Sequence, residues 1–274
     1  MPKIDRVIGF IGAGAMAEAL IKSMLREEIV DNNNILASDV NGKRLAYLED
    51  KYGIGCLESN GELVGKADIV IYAVKPFMLG QVLDSDVSHA GSPGKLHISI
   101  AAGISLEFIE GHLPAGTPVV RVMPNTPSLV GAGASAYSLG KAISPEDEKI
   151  VKQILNCAGV SVKVSEHLMN AVTGLSGSGP AYVFLVLESM IDGGVMAGLP
   201  RDVASVLAVQ TLLGSAKLLQ ETGEHPALLK DMVTTPGGTT IAGLHALETG
   251  KLRATIMDGI LAAVKRADEL GAGK

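Results

Sequence analysis

With 274 residues, 47% of them apolar, the chain has material for about two domains of ~100–200 residues and a real core, which excludes a disordered protein. Its formal net charge of −6 excludes nucleic acid or an anionic membrane as the main partner, because both require clustered positive charge. Aromatic residues make up only 3%, so the core is aliphatic, and the two cysteines, Cys56 and Cys157, read as free thiols of a reducing, cytoplasmic compartment.

The chain opens with MPKIDRVIGFIGAGAMAEAL. Its short basic start and apolar run resemble a signal peptide. Asp5 and Arg6 interrupt the start, however, and Glu18 and Lys22 follow soon after, so no targeting signal is read. Arg6–Ile11 predicts a strand and Ala15–Arg26 a helix. Between them Gly12, Gly14 and Ala17 form G-x-G-x-x-A. The first glycine makes a tight turn, the second lets a pyrophosphate approach the backbone, and the small third residue lets helix pack on strand. The helix start then offers free N–H groups and a positive dipole end to phosphate.

Next come a strand at Ile35–Ser38 and a helix at Gly42–Lys51. Asp39 ends that strand, where an acidic residue accepts hydrogen bonds from a ribose 2′-hydroxyl and repels a 2′-phosphate; the alternative is a cap for the next helix. Asn41, Lys43 and Arg44 lie close enough to offset its charge. Strands at Ile69–Ala73, His97–Ile100 and Val119–Val122, with a helix at Leu106–His112, continue the alternation. A helix at Glu146–Cys157 and a strand at Val160–Val164 close this half. Such alternation, with nearly all-apolar strands, predicts a parallel sheet covered on both faces. The loops Ala73-Val-Lys-Pro76, Ala101-Ala-Gly103 and Met123-Pro-Asn-Thr-Pro127 follow strands, where ligands gather in such sheets. Lys75 is a catalytic acid or a charge in the wall of the cofactor site, and Pro76 after it, which suggests a fixed turn, favours the wall. Asn125 and Thr126 either bind a nicotinamide amide or satisfy turn backbone. The cofactor-binding set is Ile11, Gly12, Ala13, Gly14, Ala15, Met16, Ala17, Asp39, Asn60, Ala73, Val74, Lys75, Pro76, Ala101, Gly103 and Asn125.

From about Glu166 the strand signal stops. Tyr182–Ala197 is apolar nearly all round, and helices follow from Pro200 to near Gly223, at Pro226–Met232, at Ile241–Glu248 and at Leu252–Leu270. The division predicted is a dinucleotide-binding domain over residues 1–164 and an all-helical domain over 165–274. A helix apolar on every side in a domain of ~110 residues is hard to bury within one chain, so burial against a second subunit is expected. The uncharged run Ala171–Leu187 is too rich in glycine, serine and proline for a membrane span. Metal-binding spacings are missing, and Gly174-Leu-Ser-Gly-Ser follows no strand, so no nucleophile elbow is read. Ser176 and Ser178 read as caps of the helix that Pro180 starts. In Thr234-Thr-Pro-Gly-Gly-Thr-Thr-Ile241, two glycines at a helix start expose backbone to an anion such as a carboxylate, and threonine hydroxyls stand beside it. A plain capped helix start is the alternative.

GFIGAGAMA, AVKP, AAG, RVMPNTP, VTGLSGSGPAYVF and PGGTTIAGLHALE occur in an order that resembles the pyrroline-5-carboxylate reductase family over essentially the whole chain. The resemblance implies a Rossmann domain followed by a helical dimerisation domain. It implies reduction of a cyclic imine acid to L-proline by NAD(P)H in a homodimer, with larger homo-oligomers in some members. It also assigns substrate binding to Gly238, Thr239 and Thr240, beside Ser176 and Ser178, and a proton-donating role to Thr240. NADP-using relatives often carry a small hydroxyl or basic residue where Asp39 stands, so the cofactor expectation leans to NADH. A β-hydroxyacid dehydrogenase is the nearest alternative, but Gly177-Ser-Gly-Pro-Ala-Tyr-Val-Phe-Leu-Val-Leu lacks the lysine those enzymes use. A non-catalytic NAD-sensing regulator would not need the Pro-Gly-Gly-Thr-Thr loop.

Overall fold

The structure, a computed structural model, describes residues 2–84 and 94–272. They fall into two compact units, one formed by the chain up to Ser178 together with the segment from Ala263, the other by Gly179–Ala262.

The first unit is built on an eight-stranded sheet. Its strands are β1 (Ile8–Ile11), β2 (Ile35–Ser38), β3 (Gly55–Leu57), β4 (Ile69–Tyr72), β5 (Leu96–Ser99), β6 (Val119–Met123), β7 (Gly133–Leu139) and β8 (Gly159–Lys163). The order across the sheet is β3-β2-β1-β4-β5-β6-β7-β8. β1 therefore sits between β2 and β4, and the winding direction reverses there. The helices of this unit are α1 (Ala15–Arg26), α2 (Gly42–Tyr52), α3 (Asn60–Lys66), α4 (Pro76–Val82), α5 (Leu106–His112), α6 (Pro145–Asn156) and α7 (Met169–Val172).

Side chains alternate across a strand, and both faces of this sheet are covered. On β4, Ile69 and Ile71 join a cluster with Leu20 and Met24 of α1, Leu48 of α2 and Ile154 of α6. Val70 and Tyr72 point the other way, into a cluster with Leu63 of α3, Leu79 of α4 and Ile109 of α5. Serine caps start several helices: Ser59 accepts from Glu62 N–H on α3, Ser105 from Phe108 N–H on α5, and Ser144 forms a capping box with Asp147 on α6. One polar pair is buried in the sheet, Tyr72 Oη to His97 Nδ1 at 2.8 Å, and burial holds the His97 pKa down at about 4.

Two findings correct the sequence reading, and a third adds to it. The sheet is mixed, because β7 runs antiparallel to β6 and β8 runs parallel to β7. β3 and β7, with α3 and α4, lie in stretches to which the sequence assigned no element. β7 is GASAYSL, whose small residues give little strand signal; it forms because it has a partner on each side. Finally, by length and composition α9 (Arg201–Thr222) could cross a bilayer, with a hydropathy of 1.3, although the sequence reading weighed only Ala171–Leu187.

The second unit contains α8 (Gly179–Met196), α9, α10 (Pro226–Met232), α11 (Thr239–Thr249) and the first part of α12 (Leu252–Ala272). α8 packs along α9. Small residues set the approach: a Cβ on Gly194 would lie 3.1 Å from that of Ala204. Yet α8, α10 and α11 bury no residue fully, and α9 buries only Ala204 and Ala208. Phe184 and Leu185 are each 64% exposed, with Val206, Leu213, Met257 and Leu261 also exposed.

Candidate functional site

A cleft of about 550 Å³ opens at the carboxyl ends of the strands, beside the switch point between β1 and β4. That is where open α/β sheets bind ligands, because the loops diverge there in opposite directions. Its walls include Ile11, Gly12, Gly14, Ala15 and Met16 after β1, Asp39 after β2, and Asn60. Ala73, Val74, Lys75 and Pro76 after β4, and Ala101 after β5, complete the expected residues that reach it. Ala13 and Ala17 are fully buried beneath the turn, Gly103 lines a neighbouring cavity with Arg121, and Asn125 faces away from the cleft's lining.

The glycine turn has the shape a pyrophosphate needs. Gly12 has φ +95°, a left-handed value that favours glycine, and a Cβ there would lie 2.7 Å from the Ala73 carbonyl oxygen. At Gly14 a Cβ would meet nothing within 4 Å, so the space a side chain would fill is open. Gly14 caps α1 without any side-chain hydrogen bond, which leaves the first N–H groups of α1 for a ligand. These residues fit a dinucleotide.

Asp39 does more than close β2. Its Oδ2 accepts from Ala13 N–H at 2.7 Å and its Oδ1 from Asn41 N–H at 2.8 Å. The cap of α2 is Asn41, whose side chain accepts from Lys43 and Arg44 N–H, so the alternative reading of Asp39 as that cap is corrected. Asn125 satisfies backbone: its amide donates to the Ser176 carbonyl at 3.1 Å and its Oδ1 accepts from Ala134 N–H at 2.8 Å. Ser38, Val40, Met78, Val82 and Ile100 line the cleft without having been singled out from the sequence, whereas Ala102, Met123, Pro124 and Thr126 belong to loops that were. The signal was available, since most of them flank the expected residues on the same strand-end loops. Ser38 Oγ donates to Asn60 Oδ1 at 2.7 Å, which ties β2 to α3 under the cleft.

Behind the turn, Glu18 of α1 gathers Arg44, Tyr47 at 3.1 Å, Lys51 at 3.1 Å and Tyr52 at 2.8 Å. Burial alone would raise its pKa, but the hydrogen bonds from Arg44, Tyr52, Lys51 and Tyr47 outweigh it and hold the carboxyl at about 2. The unfolded value is about 4.3. The stabilisation is therefore complete above the unfolded pKa and is lost as pH falls through about 2. After allowance for solvent screening it is on the order of 1–2 kcal/mol. Glu18→Gln should lower the free energy of urea unfolding by about that much at pH 7, and the gap to the parent should close as the pH approaches 2. A gap independent of pH would contradict this.

Ser176 and Ser178 were expected to cap α8. Instead Thr173–Gly177 forms a π-helical turn that ends at Ser178, Ser176 Oγ donates back to the Val172 carbonyl at 3.1 Å, and Ser178 N–H donates to the Thr173 carbonyl at 2.8 Å. The helical path continues where the composition signalled a start, which removes the need for caps. Such turns recur at functional sites.

In the second unit, Thr234–Ile241 resolves into a turn and a helix start. Thr234 Oγ1 donates to the Lys230 carbonyl at 2.7 Å, at the end of α10. Gly238 N–H donates to the Thr235 carbonyl at 3.1 Å across Pro236 and Gly237, and Gly237 has φ +67°. This is a type II turn, with proline and glycine in their favoured places. α11 then begins at Thr239, and Gly238 has no side chain to cap it. The opening N–H groups of α11 are left for an anion. Thr239 is exposed and Thr240 half-buried, and the Thr240 hydroxyl has no hydrogen-bond partner among the described residues.

Comparison with known proteins agrees with this arrangement. Residues 166–270 match the pyrroline-5-carboxylate reductase dimerisation family, and residues 7–103 match the coenzyme F420-dependent NADP oxidoreductase family. A pyrroline-5-carboxylate reductase of Methanosarcina acetivorans is 49% identical over 97% of this chain and 98% of its own. Among solved structures, a pyrroline-5-carboxylate reductase of Coxiella burnetii superposes with TM-score 0.92 at 33% identity, covering 97% of this chain and 99% of that one. A Plasmodium falciparum pyrroline carboxylate reductase solved with NADP bound superposes with TM-score 0.88, also at 33% identity, covering 98% and 99%.

Proposed function

Because the chain belongs to the pyrroline-5-carboxylate reductase family, and so reduces the C=N bond of 1-pyrroline-5-carboxylate to L-proline, we propose how its own residues divide that work. The observation that carries the reading is that each unit has a helix start with no side-chain cap, α1 behind the Gly12–Gly14 turn in the first and α11 behind the Pro236–Gly238 turn in the second. The nicotinamide dinucleotide supplies the hydride. The first N–H groups of α1 hold its pyrophosphate and Asp39 accepts from its ribose, while Ala73–Pro76 and Ala101 form the wall. The α11 N–H groups behind Gly238, with Thr239, take the substrate carboxylate, and Ser176 and Ser178 complete the substrate set. Thr240 donates a hydrogen bond to the ring nitrogen and passes to it the proton that this nitrogen gains as hydride reaches the adjacent carbon, taking a proton from water in the same step so that the hydroxyl is restored. Purified protein should oxidise NADH or NADPH when the cyclic imine acid is added and not before; oxidation independent of the imine, or none with it, would overturn the reading.

NADH is the preferred cofactor in this proposal. Asp39 places negative charge where a 2′-phosphate would sit, and the nearest arginine, Arg44, is held by Glu18. Asp39→Ser removes the like charge and should raise kcat/KM for NADPH relative to NADH by about 10-fold. The ratio is the readout, because the same change frees Ala13 N–H and weakens both cofactors. A parent enzyme that already favours NADPH tenfold would refute the preference.

We place the functional division at residues 164/165, supported by the dimerisation-family match from residue 166, and infer a homodimer through the helical domain, supported by the exposed apolar residues of α8 and α9. A cytoplasmic location is supported by two free thiols, which reducing compartments maintain.

A further inference from the structure

Both peptide groups that flank Ala13, in the middle of the phosphate-binding turn, are gripped: the Gly12–Ala13 plane through the Ala13 N–H and the Ala13–Gly14 plane through the Ala13 carbonyl. The N–H donates to Asp39 Oδ2 at 2.7 Å, and the carbonyl accepts from Arg44 Nε at 2.6 Å. The second grip matters because the Ala13–Gly14 plane, with a glycine beside it, can otherwise rotate at little steric cost. Its orientation decides where the next N–H groups, those of Gly14 and the first turn of α1, point. Arg44 is itself fixed. Its guanidinium pairs with Glu18, and it stacks over the Tyr47 ring at 4.9 Å from the centroid. Glu18 is in turn anchored by Tyr47, Lys51 and Tyr52 from the far end of α2. Arg44 and Glu18 are absent from the cleft's lining, so neither needs to touch the dinucleotide.

Resting on the assignment of this cleft to a nicotinamide dinucleotide, we propose that Arg44 is a positioning residue, which, held by Glu18, locks the Ala13–Gly14 peptide so that the Gly14 and α1 N–H groups are aimed at the pyrophosphate. The arrangement spans three elements: the turn after β1, α1 and α2. It explains why a strongly hydrogen-bonded carboxylate stands on the first turn of α1 without facing the ligand. It also separates two roles that an arginine near this strand end can have. A direct ligand of the 2′-phosphate would act on NADPH alone. A positioning residue acts on the pyrophosphate, which NADH and NADPH share.

The test is dinucleotide affinity measured by fluorescence titration without the imine, together with steady-state KM and kcat for both cofactors. Arg44→Ala should weaken NADH and NADPH by similar factors of about 10- to 100-fold, the range for losing one charge-assisted hydrogen bond, while kcat at saturation falls far less. Arg44→Lys, which keeps the charge but not the fork, should recover part of the loss, and Glu18→Gln should weaken both cofactors in the same direction. Should Arg44→Ala fail to fold, as judged by thermal unfolding, the Lys and Gln variants carry the same comparison. Affinity for NADH within about 2-fold of the parent, or a loss confined to NADPH, overturns the proposal. A parent protein that binds neither dinucleotide overturns the assignment of the cleft itself; a parent that binds both normally, with insensitive variants, sinks only the role of Arg44.

Discussion

Thr240→Ala should lower kcat by about 10²- to 10⁴-fold, with dinucleotide affinity unchanged. The imine nitrogen gains a proton as hydride arrives, and a positioned acid contributes in that range. In the structure the Thr240 hydroxyl lies on the first turn of α11, has no partner among the described residues, and follows a glycine turn that leaves the N–H groups ahead of it uncapped. The carboxylate and the ring nitrogen of a five-membered imine acid are separated by a single carbon, so one helix start can serve both. A single-turnover measurement with pre-bound cofactor separates chemistry from release. A loss of only about 10-fold, one hydrogen bond's worth, would reduce Thr240 to orienting the ring. Near-normal turnover would leave it as an ordinary residue of the helix start.

Leu185→Glu should convert the protein to monomer, or to an assembly at least about 10²-fold weaker, and should abolish cooperative thermal unfolding at the parent temperature. Within one chain Leu185 is 64% exposed on α8, so a carboxylate there costs the isolated unit little. Buried against a second copy, the same unpaired charge costs several kcal/mol. The side chain chosen matters. Leu187 on the same helix is already half-buried within its own unit, so a charge there would mix misfolding with dissociation. Sedimentation of parent and variant at micromolar concentration decides the matter; a parent that is monomeric, or a variant that stays dimeric, would show that α8 does not form the interface. The size of the apolar surface argues for the effect. A unit whose helices bury almost nothing of their own cannot offset chain entropy alone.

Much of the first unit was legible because its signals are local. Ala15–Arg26 and Leu106–His112 have the predicted bounds, and Ile35–Ser38 is a strand end to end. Each combines a hydrophobic rhythm with a punctuating residue: Gly14 before α1, Ser105 before α5, Asp39 after β2. The loops that line the cleft were legible for the same reason, since a strand followed by small residues and a helix start is written within a few positions of chain. What failed was non-local. β3 is three half-buried residues, too short for any periodicity, and forms by pairing with β2. Ser176 and Ser178 carry ordinary cap chemistry, yet the backbone stays helical through a π turn that is held by bonds such as Asn125 to the Ser176 carbonyl.

By itself the sequence determined the class of this protein: an aliphatic chain with a strand–turn–helix phosphate site, helical apolar segments with too little chain to bury them, and a proline–glycine break dressed with hydroxyls. These are contiguous patterns, governed by backbone sterics and by side-chain periods of 2 and 3.6. The tertiary structure alone decided who holds whom. It placed Asp39 and Arg44 on the two peptide groups that flank Ala13, assigned the α2 cap to Asn41, spent Asn125 on backbone, and left the Thr240 hydroxyl without a partner among the described residues. Those outcomes depend on which elements the sheet order brings together, and a hydrogen bond at 2.7 Å between residues 26 positions apart has no counterpart in any local pattern.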